Sequence, residues 1–203
     1  MRIVSLAPSN TEIVFRIGAG EQLVATTSLC DYPSEGIELP SVGGWTNADV
    51  EKVENFDPDL VLASDDLQAE TVRKLEVKGI EVEHFRPRTL EEVFSSIEEI
   101  GRITGNISEA EKVVGEMKDR LEDIDVGGKR IYCEEWMDPP MISGNWIPGL
   151  TDQINGDYMI EEGVRSRKVE IEEIREFDPE FIILNVCGSG TNLNKTELLE
   201  RDG

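Results

Sequence analysis

A helix–turn–strand pattern occurs twice in this chain. VEKVENFDPDLVLAS begins at Val50 and IEEIREFDPEFIILN begins at Ile171, 121 residues later. Each copy predicts a helix, an Asp-Pro pair that ends it, and a strand, because proline disfavours helical conformation in the residue before it. A helix–Asp-Pro–strand unit is common, so coincidence is the alternative. The match continues over a dozen positions without a gap, which favours two similar lobes.

The rest of the chain alternates between predicted strands and helices. RIVSL, QLVATT, DLVLAS and IEVEHF predict strands in the first half, and RIYCEEW and FIILNV in the second. This order is typical of Rossmann-like β/α lobes with mostly parallel sheets. Between Thr89 and Asp123 the apolar residues recur at helical spacing, after a capping box of Thr89 and Glu92. Because Gly105 and Asn106 are candidate helix breakers, one long helix or two in series would fit.

These patterns divide the chain into three parts. We predict an α/β protein with an N-terminal β/α lobe at 1–87, a connecting helical spine at 88–126 and a C-terminal β/α lobe at 127–203. TELLERDG matches the first-half segment KLEVKGIEVEHF only as far as its glycine. We therefore expect an incomplete second lobe, truncated at its C-terminus. Its unpaired sheet edge would allow self-association by pairing with another chain.

The charge of the chain excludes several partners. The sequence has 43 acidic and 20 basic residues, a formal net charge of −23. Nucleic acid and anionic membrane surfaces would repel such a protein. No apolar run approaches the roughly 18 residues of a membrane span, so direct membrane insertion is not expected.

Residues for catalysis or metal binding are sparse. The three cysteines, Cys30, Cys133 and Cys187, are far apart and do not form a disulfide framework or a zinc motif. The single histidine, His84, has no partner at metal-ligand spacing. Nucleotide-binding and hydrolase motifs are absent from the sequence. We expect a binding protein with no catalytic residues, no metal site and no cofactor.

The candidate ligand contacts lie in loops that follow predicted strands. In α/β sheets, ligands bind beyond the carboxyl ends of the strands, and clefts between lobes are common binding sites. In the first half these loops are APSNT, CDYPSE and GGWTN; in the second they are WMDPPMISGNW and GVRSRK. The candidate ligand-binding residues in them are Pro8, Ser9, Asn10, Tyr32, Trp45, Trp146, Arg165 and Ser166.

Several motifs resemble one family when taken in order. RIVSLAPSNTEIVFRIGAGEQLV, CDYP, GGW, FDPDLVLAS and MDPPMISGNW are similar to the cobalamin-binding proteins of ATP-driven corrinoid importers. These are helix-spined (class III) periplasmic binding proteins, a family that also carries ferric siderophores and haem. The resemblance implies a solute-binding protein that captures cobalamin or cobinamide in an inter-lobe cleft. It would deliver this ligand to the permease dimer of an ABC importer.

The resemblance also implies roles for individual residues. Pro8, Tyr32 and Trp45 would pack against the flat macrocycle. The family's second-lobe tryptophan falls at Ser166, where this chain has a hydroxyl next to Arg165. An arginine there suits amide, phosphate or carboxylate acceptors. Trp146 would then supply the missing aromatic surface.

Two equivalent glutamates form the other implied site. Glu51 and Glu172 occupy the same place in the two repeats, just off the apolar stripe of each helix. In the family, one such glutamate on each lobe meets arginines of the dimeric permease. Two similar lobes can thus dock on a two-fold receptor. The alternative is an ordinary solvent-facing glutamate in an acidic chain.

The localisation and the ligand class leave alternatives open. Met1 leads directly into RIVSL without an export signal, which indicates a cytoplasmic protein for the chain as written. A trimmed leader would make it periplasmic or attached to the cell surface, as importer docking requires. A ferric siderophore or haem receptor is the alternative within the family. A cytoplasmic tetrapyrrole-handling enzyme or chaperone is the alternative outside it.

Overall fold

The computed structural model describes residues 1–186 together with Thr196 and Leu198, and for Ile37 the backbone alone. Its strands are β1 (Ile3–Ser5), β2 (Leu23–Ala25), β3 (Leu60–Ser64), β4 (Val82–Phe85), β5 (Arg130–Met137), β6 (Pro140–Ile142), β7 (Asp157–Tyr158), β8 (Arg167–Lys168) and β9 (Phe181–Leu184). Its helices are α1 (Pro8–Arg16), α2 (Ser34–Ile37), α3 (Val50–Asn55), α4 (Ala69–Val77), α5 (Leu90–Thr104), α6 (Ile107–Glu122), α7 (Ile147–Gln153) and α8 (Ile171–Phe177). Cys187 and most of TELLERDG lie outside the described residues.

The chain forms two compact units. The first unit contains Met1–Arg86 and Phe94–Glu116, and the second contains Pro87–Val93 and the described residues from Met117 onward. The α/β fold class predicted from the sequence is confirmed. In the part of the chain described here, no helix combines the length and the apolar character needed to cross a bilayer.

A parallel sheet forms the centre of the first unit. Its strands run in the order β2-β1-β3-β4, and all neighbours are parallel. Strand β3 lies between β1 and β4, and four of its five residues, Leu60 to Ala63, are buried. Such a continuous apolar strand is typical of a sheet covered on both faces. All four carboxyl ends meet at one edge, which positions the loops discussed below.

The sheet of the second unit is mixed. Strand β5 pairs in parallel with β7 and β9, and β6 runs antiparallel to both β5 and β8. The core beneath it includes the buried residues Tyr132, Ile142 and Val169. Among the described residues, β9 pairs with β5 alone, and its residues Phe181 to Ile183 are exposed.

The repeat is present in the structure as well as in the sequence. Helices α3 and α8 both end at an Asp-Pro pair. The backbone of its aspartate adopts the left-handed conformation, with φ of 45° at Asp57 and 51° at Asp178. Each of the following strands, β3 and β9, pairs in parallel with the first strand of its unit. A left-handed residue ends a helix, and proline prevents the helix from continuing.

An arginine at the start of each first strand fixes the repeated unit. The backbone N–H of Arg2 donates to Asp59 Oδ2 at 2.6 Å, and that of Arg130 donates to Glu180 Oε2 at 3.2 Å. Both guanidinium groups also donate to backbone carbonyls at the end of the repeated helix. The first strand, the helix end and the repeated strand are therefore joined in the same way in both units.

The predicted spine consists of two helices. Helix α5 ends before Gly105, whose φ is +80°, and α6 begins at Ile107. A Cβ at Gly101 would lie 2.4 Å from the Cβ of Ala110. Nine residues of straight helix would separate these positions by about 13 Å, so the chain turns sharply here. The predicted capping box is confirmed: Glu92 N–H donates to Thr89 Oγ1 at 3.2 Å, and Thr89 N–H donates to Glu92 Oε2 at 3.2 Å.

Two other predicted helix starts are wrong. SNTE, with Ser9 and Glu12 three residues apart, predicts a capping box, but it does not form, because α1 already begins at Pro8 and has Ala7 as its N-cap. Proline at the first helical position needs no N–H partner. In the second case, Asn47 before the helix carrying Val50 and Val53 predicts an N-cap, but the N-cap of α3 is Asp49, which accepts from two backbone N–H groups.

Candidate functional site

The first candidate site lies at the carboxyl edge of the parallel sheet. Strands β1, β2, β3 and β4 all end there because all four are parallel. The loop after β1 contains Pro8, the long connection after β2 contains Tyr32 and Trp45, and a turn after β3 contains Leu67. This is the edge at which α/β proteins bind ligands.

Trp45 stands near the tip of a tight turn. Gly43 and Ala48 form the base of the turn as an isolated β-bridge, and Gly43 has a φ of +123°. A side chain at Gly44 would meet only the exposed side chain of Asn47, which can move aside. The positive φ of Gly43 therefore allows a turn that leaves the Trp45 side chain half-buried. Gln68 Nε2 donates to the Trp45 carbonyl at 2.6 Å.

Tyr32 is 64% exposed. The loop that carries it starts from a buried polar cluster, in which Cys30 Sγ lies 3.2 Å from Thr11 Oγ1 and 3.3 Å from Thr27 Oγ1. Thr11 also donates to Ser5 Oγ at 2.8 Å. These contacts anchor the loop two residues before the exposed phenol, so Tyr32 is presented to solvent from a fixed base.

The three residues predicted from the first loop have different environments. Pro8 is half-buried at the first position of α1, and Ser9 is exposed. Asn10 is buried, and its Nδ2 donates to the Ala63 carbonyl at 3.1 Å. The structure therefore uses the Asn10 amide to join α1 to β3, while Pro8 and Ser9 are accessible to a ligand.

A strained turn follows β3. Asp65 has a φ of 63° and a ψ of 155°, a conformation rarely adopted by residues other than glycine. Its carboxylate accepts the Leu67 N–H at 2.9 Å, its N–H donates to the Phe85 carbonyl at 3.0 Å, and its carbonyl accepts from His84 Nε2 at 2.7 Å. These bonds hold the turn, and Leu67 is 63% exposed on it.

In the second unit, Ser166 is engaged within the protein. Its hydroxyl accepts the Gly144 N–H at 3.0 Å and donates to Glu135 Oε2 at 2.8 Å. A Cβ at Gly144 would lie 2.3 Å from the Val164 carbonyl oxygen, so the two loops pack backbone to backbone. The predicted hydroxyl contact is thus occupied by protein groups: Ser166 fastens the Arg165 loop to the loop that leads into Trp146.

Two tryptophans of the second unit are exposed near these loops. Trp146 is 36% exposed and is the N-cap residue of α7. Trp136 is 49% exposed near the carboxyl end of β5, and its Nε1 donates to the Asp138 carbonyl at 2.9 Å. Arg165 is also exposed. The second unit therefore offers a cation and one indole on loops predicted from the sequence, and a second indole within β5, where a loop was predicted.

Buried polar groups lie beneath this region. Tyr132 Oη donates to Glu134 Oε2 at 2.9 Å, and Tyr158 Oη donates to the Ser143 carbonyl at 2.8 Å. Burial raises the pKa of Tyr158 far above its ordinary value, and burial also raises the pKa of Cys133. Both groups therefore stay protonated at neutral pH and act as hydrogen-bonding core residues.

The two repeated glutamates occupy equivalent positions. Glu51 and Glu172 are each the second residue of their helix, α3 and α8, and both are exposed as predicted. Glu172 Oε1 lies 3.3 Å from Arg175 Nη1, an exposed pair one helical turn apart. Such an exposed pair contributes little to stability.

Sequence reasoning missed three residues of these regions. Trp136 was visible at the end of a predicted strand, inside the loop segment already considered. Leu67 was visible only as an apolar residue after two aspartates. Gln68 gave no sequence signal, because its role depends on backbone groups that come together only in the fold. Within the described residues, no three His, Cys, Asp or Glu side chains are grouped as metal ligands.

Comparison with known proteins identifies the family. A sequence model described as periplasmic binding protein matches residues 3–203. The chain belongs to the periplasmic binding protein family. Members of this family are binding proteins.

Two relatives show how much of a family member is present. An uncharacterized ABC transporter substrate-binding lipoprotein, YvrC of Bacillus subtilis, is 38% identical over 138 residues, which is 66% of this chain and 44% of the lipoprotein. A vitamin B12-binding protein of Vibrio campbellii is 27% identical over 190 residues, which is 89% of this chain and 69% of the relative. The chain thus matches less than half the length of the Bacillus protein.

Solved structures agree on the fold of this periplasmic binding protein. The periplasmic vitamin B12 binding protein BtuF of Vibrio cholerae has a TM-score of 0.75 and 26% identity, covering 90% of this chain and 75% of the other. The periplasmic heme-binding protein RhuT of Roseiflexus sp. RS-1 has a TM-score of 0.77, covering 100% of this chain and 82% of the other. At 20% identity, the second likeness shows the fold alone.

Proposed function

We propose that this chain captures a corrinoid, cobalamin or cobinamide, and delivers it to an ABC importer. The observation that carries the proposal is the group of accessible aromatic and apolar side chains on the carboxyl edge of the first sheet: Tyr32, Trp45 and Leu67. A flat macrocycle is well held by such side chains, because aromatic rings bury a large area at low entropic cost. The relatives named as vitamin B12-binding proteins support this ligand class.

The second unit contributes to the proposal through Trp136, Trp146 and Arg165. The two indoles would contact the macrocycle, and the guanidinium would bind acceptors on its side chains. Ser166 would act by holding the Arg165 loop in place. The prediction that the ligand lies in a cleft between the two lobes stays a prediction.

Titration calorimetry with three ligands tests the ligand class. We expect cyanocobalamin and cobinamide to bind with one site per chain, and haem to bind much more weakly. Haem or a ferric siderophore binding more tightly than both corrinoids would replace this proposal with the other ligand class of the family.

Binding without chemistry is part of the proposal. The corrinoid would be cargo, with no cofactor of the protein's own and no catalytic residue. The absorption spectrum of cyanocobalamin should therefore be the same before incubation with the protein and after its release from it. A chemically altered corrinoid after release would favour a tetrapyrrole-handling enzyme.

Docking on the permease would use Glu51 and Glu172. Their equivalent positions on α3 and α8 suit a receptor that presents the same basic pocket twice. Charge reversal at either residue, Glu51→Arg or Glu172→Arg, should reduce corrinoid uptake by the reconstituted importer without changing corrinoid affinity. Unchanged uptake in the double variant would contradict this role.

The proposed importer role requires an extracytoplasmic location. The Bacillus relative is a lipoprotein and the Vibrio cholerae structure is that of a periplasmic protein. Cell fractionation should therefore recover the protein outside the cytoplasm or attached to the cell surface. Recovery in the cytoplasm alone would contradict the importer role.

Self-association is proposed through the outer edge of β9. In the part of the chain that the structure describes, β9 pairs with β5 alone and Phe181, Ile182 and Ile183 are exposed, and a strand edge of this kind can pair with another strand. Sedimentation velocity should show a dimer that forms with rising concentration and is weakened by Ile182→Lys. A monomer at every concentration would contradict the proposal.

A further inference from the structure

Gln68 joins three chain segments at the carboxyl edge of the first sheet. It is fully buried, at 0% exposure. Its Nε2 donates to the Leu6 carbonyl at 2.7 Å and to the Trp45 carbonyl at 2.6 Å. Its Oε1 accepts the Ser64 N–H at 2.7 Å. The carboxyl ends of β1 and β3 and the Trp45 turn therefore meet on one side chain.

The bonding pattern at this position is specific to glutamine. Two carbonyls at one end of the amide and an N–H at the other fix which end is the NH₂ group. Glutamate cannot donate two hydrogen bonds, methionine cannot donate any, and asparagine is one methylene shorter. A change at Gln68 removes the donor from the buried Leu6 carbonyl, which is costly in the protein interior, and from the part-buried Trp45 carbonyl.

The effect of Gln68 should be concentrated on Trp45. The Leu6 and Ser64 segments adjoin strands of the sheet, and the Leu6 N–H also bonds the Leu62 carbonyl. The base of the Trp45 turn is held by the Gly43–Ala48 bridge. The Gln68 bond instead holds the turn near its tip, at the residue whose indole is accessible.

We infer that Gln68 is a positioning residue for the ligand site: its amide holds the Trp45 turn against the ends of β1 and β3. Gln68 does not touch the ligand. It acts by keeping the indole in the orientation required for stacking. Because the turn is already ordered in the free protein, no conformational entropy is lost in ordering it when the ligand binds. The effect on corrinoid affinity rests on the proposed function, whereas the effect on Trp45 does not.

The test uses Gln68→Glu, with Gln22→Glu as the matched control. Gln22 Nε2 donates to the Thr104 carbonyl at 2.9 Å and precedes β2, so it lies at the amino end of the strand. Trp136→Phe and Trp146→Phe together make Trp45 the single tryptophan. In that background, acrylamide quenching of Trp45 without ligand should rise in Gln68→Glu and stay unchanged in Gln22→Glu.

Corrinoid affinity is measured with all three tryptophans present. The Kd for cyanocobalamin should rise about tenfold or more in Gln68→Glu, and stay within about twofold of the unmutated protein in Gln22→Glu.

Equal quenching of Trp45 in Gln68→Glu and its parent would overturn the inference. If Gln68→Glu does not unfold cooperatively, Gln68→Met replaces it with the same expectation. If the unmutated protein does not bind cyanocobalamin, the proposed function fails, and the quenching comparison still decides the role of Gln68.

Discussion

At the scale of single residues, Trp45 is the strongest candidate for a ligand contact. Its turn depends on Gly43, which has a positive φ, and its carbonyl is held by Gln68. The Trp45 side chain is half-buried, and its turn lies at the edge of the sheet where α/β proteins bind ligands. The backbone of Trp45 is therefore held in place while its side chain stays accessible to a ligand.

Removal of the Trp45 indole should weaken corrinoid binding. Trp45→Ala deletes a large aromatic contact, and such central contacts are often worth about 2 kcal/mol or more. We therefore expect the Kd for cyanocobalamin, measured by calorimetry, to rise about 30-fold or more. Val77→Ala, at the exposed end of α4, is the matched control and should bind normally. Equal affinity in both variants would place the ligand elsewhere.

Ser166 shows the limit of prediction at this scale. Its position relative to Trp45 followed from the repeat. The predicted loop GVRSRK is a loop only up to Ser166, because Arg167 and Lys168 form β8. The partners of its hydroxyl are Glu135 of β5 and Gly144 of the loop after β6. A sequence pattern does not contain the distances between such segments, so it cannot distinguish a hydroxyl that is free to bind a ligand from one that is bonded within the protein.

At the scale of elements, the repeated helix–Asp-Pro–strand unit explains the similarity of the two units. In each unit, an aspartate with positive φ ends the helix. The acidic residue two positions after this aspartate accepts a hydrogen bond from the backbone N–H of the arginine at the start of the first strand. In the second unit this residue is Glu180. Its pKa is lowered by the hydrogen bond from Lys129 and by that from the Arg130 backbone N–H.

The lowered pKa of Glu180 predicts an acid-sensitive contribution to stability. Because the folded state holds the carboxylate in its charged form, the stabilisation is present above the ordinary glutamate pKa. It is lost as the pH falls through the lower folded pKa. Between about pH 5 and about pH 3, the Tm of Glu180→Gln should therefore fall less steeply than that of the unmutated protein. Glu176→Gln, in the last turn of α8, controls for lost charge. Parallel Tm curves for all three proteins would contradict this assignment.

The sharp turn between α5 and α6 predicts opposite effects for two glycines. Gly101 faces Ala110 too closely for a methyl group, whereas a Cβ at Gly115 would meet nothing within 4 Å. Gly101→Ala should lower the free energy of unfolding by about 1–3 kcal/mol through overpacking. Gly115→Ala should raise it by about 0.4–1 kcal/mol by restricting the unfolded chain. Denaturant unfolding measures both, and a stabilising Gly101→Ala would show that the helices do not pack as described.

At the scale of the whole molecule, periodicity and turn residues predicted the fold well. The strands β1, β2, β3 and β4 were predicted because each is a short apolar run between turn signals. The antiparallel strand β6 was missed, because PMI is too short to show a period. The choice between one spine helix and two stayed open, because a glycine followed by asparagine can end a helix or merely weaken it.

The family and the two-unit organisation followed from the order of short motifs and from the repeat. The site did not follow as fully. Loops could be predicted from sequence, and Tyr32, Trp45 and Trp146 are accessible on them as expected. The burial of Asn10 and the three hydrogen bonds of Gln68 depend on strands brought together by the sheet, so sequence alone could not predict them.

A crystal structure of the chain with cyanocobalamin would test the proposed ligand site directly. We predict that the corrin ring lies in van der Waals contact with the Trp45 indole, at about 3.5–4 Å between carbon atoms, on the carboxyl edge of the first sheet. A corrin bound at another surface, with the Trp45 side chain turned away from it, would contradict the central claim.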